Sequence, residues 1–279
     1  MQKILFPALA AMFLLCGCKS ITQDSFNLAT FNIRCPVDKT PNTWQERKPR
    51  CLAVIRKNQL DIFGVQEAVR FQLDDLLGDE FLCIGGGRDD FKDKGEFSAI
   101  LYRKDRFELI RGGTFGLSEK PSVPGYKSWK TAYPRIATWG LFRDKKTGNE
   151  FIYYNTHLDH VSELARINGI KLLVKHAKEH AKGKPLIISG DFNAKPTSAT
   201  YQTAASLLKD SAKVSLTPHT GSARTFHGFG RYTKHTYPID FIFVSDDIQV
   251  FSHKTDDTEF PEGFPSDHFP VITKLKLKK

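Results

Sequence analysis

Short apolar, β-rich runs recur along the whole chain, and many of them stop on an amide, a carboxylate or an imidazole. The runs are Phe26 to Ile33, Ile62 to Val65, Phe81 to Ile84, Ala99 to Tyr102, Ile136 to Phe142, Phe151 to Thr156, Leu186 to Ser189, Ile239 to Val244 and Val271 to Leu277. Segments this short and this apolar read as buried strands. Trp44 to Asn58, Val69 to Leu77, Glu163 to Lys182 and Ala199 to Leu208 carry the helical spacing instead. Many strands with few helices predict packed sheets with helices outside them, an α+β arrangement. A hydrophobic share of 40% excludes a disordered tail protein, and nothing linker-like divides the 279 residues, so one domain over residues 25–279 is expected.

The polar strand ends are unusual in kind. Asn32, Glu67, His157 with Asp159, Asp191 with Asn193, and Asp267-His268 each sit at the edge of an apolar run. Strand ends on one sheet edge can converge. Carboxylates, amides and imidazoles together form the ligand and acid/base set of hard-cation chemistry, so Mg2+ or Mn2+ acting on a phosphate is the natural expectation. Taken singly these motifs are weak: Asp-x-Asn is also a turn sequence, and a lone histidine at a strand end is more often structural. No Gly-x-Ser-x-Gly or P-loop competes for the chemistry.

Residues 1–17 pair Lys3 with an apolar stretch from Ile4 to Leu15 that is too short to span a bilayer and is followed at once by polar residues, which reads as a signal peptide. The ending Leu15-Cys16-Gly17-Cys18 resembles a bacterial lipobox. It predicts a lipid on Cys18, a tether over 18–24 and an extracytoplasmic, membrane-anchored protein, with secretory cleavage nearby as the alternative. That leaves Cys35, Cys51 and Cys83, which allow at most one disulfide and read as buried apolar residues.

In chain order the motifs TFNIR, GVQE, GRDD with KGEFSAILYRKDRFEL, PRIATW, NTHLDHVSELAR, ISGDFNAKP, PIDFIFVS and PSDHFPV resemble the endonuclease/exonuclease/phosphatase superfamily from about Phe26 to about Leu277. That family includes pancreatic-type deoxyribonuclease, abasic-site endonucleases, neutral sphingomyelinases and inositol phosphatases. KGEF, NTHLDHVSELAR and TFHGFG are most similar to a bacterial branch that includes sugar-phosphate phosphatases. The resemblance implies a four-layer sandwich, two mixed sheets face to face with helices on the outer faces and the site at one end. It implies Glu67 and Asp267 as metal carboxylates and Asn32 at the metal or the phosphate. Asp191 with Asn193 would activate the attacking water, and His268, oriented by Asp240, would contact the phosphate. His157 would pair with Glu96, and Arg135 would bind phosphate. For Asp159 and His160 the resemblance implies no general family role.

The substrate class stays open. A net charge of +10 and the clusters Arg103-Lys104-Asp105-Arg106 and Arg143-Asp144-Lys145-Lys146 speak for nucleic acid, although such clusters are usually solvated turns. Trp44, Trp129 and Thr225 to Phe229 could instead close a pocket around a small phosphorylated sugar, and Asp89 and Asp90 would repel a polyanion if they border the site. A phospholipid headgroup is a third option, favoured by the anchor. A sandwich that kept only binding is the rival from another class, but the catalytic set is present. A monomer is expected.

Overall fold

The computed structural model describes residues 24–232, 234 and 236–278. The expected signal peptide over 1–17 and Cys18, the expected lipid site, lie outside the described residues.

One sheet has seven strands in the order β10-β12-β13-β1-β2-β4-β3. These are β1 (Phe26–Asn32), β2 (Ile62–Gln66), β3 (Phe81–Ile84), β4 (Ile100–Arg103), β10 (Thr220–Gly221), β12 (Ile248–Thr255) and β13 (Val271–Leu277). The other has six, in the order β5-β6-β7-β8-β11-β9: β5 (Phe107–Gly116), β6 (Ile136–Asp144), β7 (Glu150–His157), β8 (Leu186–Asp191), β9 (Lys209–Asp210) and β11 (Asp240–Val244). Each sheet mixes parallel and antiparallel neighbours. Helices α1 (Trp44–Lys57) and α2 (Arg70–Leu77) cover the first sheet, α3 (Glu163–Ala181) and α4 (Ala199–Ala205) the second, and α5 (Ser211–Val214) is a single turn. The expected four layers are present.

Local chemistry explains the helix starts. Thr43 accepts from the Glu46 amide while the Glu46 carboxylate accepts from the Thr43 amide, a reciprocal cap on α1. Ser162 and Ser198 cap α3 and α4 in the same way from one side. Two long strands escape the sequence pattern, β5 and β12. Both carry a register shift, between Leu109 and Arg111 and between Val250 and Ser252, which breaks the period-two alternation, and β5 also contains the Gly112-Gly113 pair that reads as a turn.

Between the sheets lies an apolar core of Phe26, Leu28, Ile62, Phe107, Phe142, Phe151, Ile187 and Ile242. Towards one end this core gives way to a buried polar seam. The Asn155 side-chain amide on β7 donates to the Val65 and Ala99 carbonyls across the gap, both at 2.9 Å, and its Oδ1 accepts from Gln66 Nε2 at 2.6 Å. Gln66 also donates to Thr30, and the Tyr153 hydroxyl bonds Ser189 and the Ala29 carbonyl. Gly64 makes room for it, since a Cβ there would meet the Asn155 side chain at 2.4 Å. Asn155→Leu would remove one donor from each of two buried carbonyls and the acceptor of one Gln66 amide hydrogen. We expect a stability loss of about 2–4 kcal/mol in urea denaturation, larger than a surface substitution gives.

Candidate active site

The parallel pairs and one antiparallel pair bring the polar strand ends together. Asn32 is in register with Gln66 on β1 and β2, so Glu67 follows at the same level, and His157 is in register with Asp191 on β7 and β8. Asp240 opposes Asp191 across the antiparallel β8–β11 pair. Because β13 runs antiparallel to β1, its incoming segment delivers Asp267 and His268 to that same end. Arg34, Glu67 and Asn193, each just past a strand, adopt left-handed backbone (φ 61, 62 and 48) that bends their segments at this edge.

Asn32 joins the two sheets. Its Nδ2 donates to Glu67 Oε1 at 3.0 Å and to Asp191 Oδ2 at 3.1 Å. Asp191 accepts from the Asn193 amide at 2.8 Å, and His157 Nε2 and His268 Nε2 approach its Oδ2 at 3.5 and 3.7 Å. Burial, then repulsion from Asp240, pushes Asp191 above the usual carboxylate range. His268 Nδ1 bonds Asp240 Oδ2 at 2.9 Å, and Asp240 Oδ1 is buried without a hydrogen-bond partner. Burial would lower the His268 ring, but Asp240 and then Asp191 outweigh it and raise its affinity for a proton. His157 differs: burial, then the nearby Arg135, holds it well below the usual imidazole range. The Leu158 carbonyl and His157 Nε2 both contact Asn193 Nδ2 at 3.0 Å, so His157 accepts there as a neutral ring.

Glu67 and Asp267 form a second grouping. Arg34 approaches both, Glu67 Oε2 at 3.7 Å and Asp267 Oδ2 at 3.8 Å, while Glu67 Oε2 also accepts from the Cys35 amide. Burial and repulsion from Glu67 raise Asp267; for Glu67, burial is outweighed by the Asn32 hydrogen bond, His268 and Arg34, which lower it. These oxygens, with the Asn32 amide oxygen, suit a hard divalent cation. Asp191, Asp240 and His268 also offer ligand atoms within 4.8 Å of one another. In that triplet His268 Nδ1 is already bonded to Asp240 Oδ2, whereas Glu67 and Asp267 present two carboxylates, so the hard-cation fit is better at Glu67 and Asp267.

Several expectations need correction. Glu96 does not pair with His157; its carboxylate accepts from Arg88 at 2.6 Å. Trp44 is a core residue of the α1 face whose indole donates to Asp75, and Trp129 does not line the cleft; its carbonyl accepts from Ser162. Of Thr225 to Phe229, Phe226, Gly228 and Phe229 line the cleft, whereas the His227 ring is buried and stacks on Phe269. Asp90 is consumed by the Lys92 and Lys94 amides, and it is Arg88 that the loop presents. The three cysteines are free, and Cys35 lines the cleft instead of the core. Sequence reasoning did not single out Arg34, Arg88, Tyr133 or Arg166, all of which line a cleft of about 1170 Å³; Arg34, two residues past Asn32, carried the one available signal.

The basic clusters lie at the other end. Arg143 is in register with Glu150 at the start of β7, about 23 Å along the strand from His157. It is paired with Glu108 and Glu150, Arg103 with Glu80 and Asp105, and Arg106 with Asp144.

Asp240→Asn removes the nearest charge that holds the proton on His268 while keeping the side-chain shape. The His268 titration followed by NMR should move down by more than one pH unit. An unmoved titration would exclude Asp240 as its electrostatic partner.

Residues 29–268 match the Endonuclease/Exonuclease/phosphatase family. An endonuclease/exonuclease/phosphatase from Bacteroides vulgatus superimposes with a TM-score of 0.86 at 39% identity, covering 91% of this chain and 99% of that one. The Bacteroides thetaiotaomicron mannosyl-6-phosphatase gives 0.85 at 36% identity over 90% of this chain and 99% of its own. Drosophila melanogaster Nocturnin is 25% identical over 293 aligned residues, which cover 88% of this chain but 44% of that protein, so the chain spans less than half of that relative's length. With the strand-end cluster carried on two facing mixed sheets and the match running through nearly all of them, the chain belongs to the endonuclease/exonuclease/phosphatase family, whose members hydrolyse phosphoesters and generally depend on a divalent metal.

Proposed function

We propose that this chain is a divalent-metal-dependent phosphoester hydrolase that acts outside the cytoplasm on a small phosphorylated, sugar-like molecule. The observation that carries the substrate class is the division of charge: Arg103, Arg106 and Arg143, the arginines of the clusters that would track a polyanion, are each paired with carboxylates at the far end of the sandwich. The site end is a cleft with exposed aromatic faces, among them Tyr133 at 50% exposure, in which Arg88 and Arg135 are set beside acidic residues. Such a wall suits a small polar ring with one anionic group. Similarity over nearly the full length to a protein named as a mannosyl-6-phosphatase supports the same reading.

In this reading Glu67 and Asp267, with Asn32, would hold Mg2+ or Mn2+, which supplies charge neutralisation on the phosphoryl oxygens. Asp191, raised by its burial, takes the proton of the attacking water, and Asn193 orients that water. His268, kept protonated by Asp240, donates to a phosphate oxygen, and Arg135 donates from the opposite wall. His157, neutral and bonded to Asn193, holds that amide in place. Glu96 serves the site by holding Arg88.

The test is a panel of sugar phosphates, bis-p-nitrophenyl phosphate, DNA, RNA and sphingomyelin on the purified domain with Mg2+ or Mn2+. We expect turnover of a sugar phosphate, loss of that turnover with a chelator, and a fall of about 10²–10⁴-fold in kcat for Asp191→Asn. Cleavage of long DNA or RNA with a steep salt dependence, and none of phosphosugars, would move the protein to the nuclease reading.

The anchored location rests on the lipobox-like residues at Cys18. Cys18→Ser should move the protein from membranes to the soluble extracytoplasmic fraction. A variant still membrane-bound after a high-salt wash would remove the lipid as the anchor.

A further inference from the structure

Asp159 and His160 carry none of the roles above, yet the structure spends many interactions on them. The Asp159 carboxylate is buried and accepts five hydrogen bonds. Oδ1 takes Thr131 Oγ1 at 2.8 Å, the Ala132 amide at 3.1 Å and Arg135 Nε at 3.4 Å; Oδ2 takes the Val161 amide at 3.1 Å and the Ser162 amide at 2.7 Å. Its main-chain carbonyl accepts from Arg166 Nη1 at 2.9 Å. One carboxylate therefore ties the segment that carries Arg135 to the turn that starts α3. A buried carboxylate so fully satisfied is held in a single orientation, and it supplies the counter-charge that a buried guanidinium needs.

Arg135 is itself buried, and its fork is divided in a defined way. Nε faces Asp159, and Nη2 lies 2.9 Å from His160 Nδ1. A guanidinium has no acceptor, so Nδ1 must accept and the His160 ring proton must sit on Nε2. His160 is exposed at the cleft, stacked on Tyr133 with ring centroids 6.0 Å apart. Arg135 Nη1 has no hydrogen-bond partner among the described residues. Both residues line the cleft, so two donors of fixed orientation remain there, the free edge of Arg135 and the His160 Nε2–H.

We propose that Asp159 and His160 are positioning residues that fix Arg135 as a reader of the phosphomonoester dianion, so that this site selects a monoester over a diester. The proposal rests on the phosphoester reading and specifies its substrate class. A monoester presents three non-bridging oxygens and close to two charges; a diester presents two oxygens and one charge, with an ester oxygen and its carbon where the third would be. The donors assigned to His268 and to the proposed metal site serve both classes. An additional rigid donor pair is satisfied only by the third oxygen, and with a diester it stays unpaired, which penalises that ligand.

The test compares His160→Ala, Arg135→Lys and Asp159→Asn with the wild type in two measurements: calorimetric binding of inorganic phosphate, and the ratio of kcat/KM for p-nitrophenyl phosphate to that for bis-p-nitrophenyl phosphate. His160→Ala alters an exposed residue and should fold. It should weaken phosphate binding about tenfold and lower the monoester kcat/KM about tenfold more than the diester's. Arg135→Lys, which keeps the charge but loses the fork, should shift the ratio in the same direction. Asp159→Asn, folded by circular dichroism, should do likewise although it touches no substrate. Parallel losses on both esters in His160→Ala, or no change in phosphate binding, would overturn the proposal while leaving the hydrolase reading in place. A wild-type protein that cleaves neither ester, yet binds phosphate more tightly than His160→Ala does, would sustain the anion site and overturn the hydrolase reading.

Discussion

The site depends on how the two sheets are held against each other, and Asn155 is the central contact. Apolar packing alone fixes separation poorly in direction, because methyl and ring contacts tolerate sliding. Hydrogen bonds from one Asn155 amide nitrogen to the Val65 and Ala99 carbonyls, with Gln66 and Tyr153 completing the seam, set the alignment of β2 against β7. Gln66 immediately precedes Glu67, and Asn155 lies two residues before His157. An error in sheet alignment would therefore be transmitted directly to the residues at the strand ends. Asn32 makes the same connection one level further out, bonding Glu67 of its own sheet and Asp191 of the other.

What this alignment assembles is a cluster unfavourable in isolation. Glu67, Asp191, Asp240 and Asp267 are held with Arg34 and His268, most of them buried. Burial disfavours each charge, and the carboxylates repel one another, so Asp191 and Asp267 are raised while His268 gains a proton affinity it would not have alone. In the proposed reaction, proton acceptor and proton donor would thus be separated by environment and not by residue type, so that two groups of ordinary solution affinity would serve opposite ends of one step. The left-handed backbone at Arg34, Glu67 and Asn193 belongs to the same arrangement, since strain of this kind persists only where surrounding packing determines it.

Much of the architecture was legible beforehand. The apolar runs of β1, β2, β3, β7 and β8 fall close to their observed bounds, and the four-layer sandwich follows from the resemblance carried by their ends. The strands β5 and β12 were not legible, because a bulge moves side chains off the alternating pattern that marks a strand. At the candidate site, the residue types that handle metal, water and phosphate stood out, while their partners did not. Glu96 belongs to Arg88, Trp44 belongs to the core, and the Asp159 grip on Arg135 has no local signature.

By itself the sequence determined most of the strands and helices, those without a bulge, and which polar residues terminate them, because burial on a pleated or helical face imposes a short period on neighbouring residues. Only the tertiary structure decided which of those terminal residues touch. Asn32 meets Asp191 across 159 residues of chain, and Arg135 meets Asp159 across 24. Such contacts are set by sheet order, inter-sheet alignment and a few left-handed residues, and none of these leaves a period in the sequence that a local reading could detect.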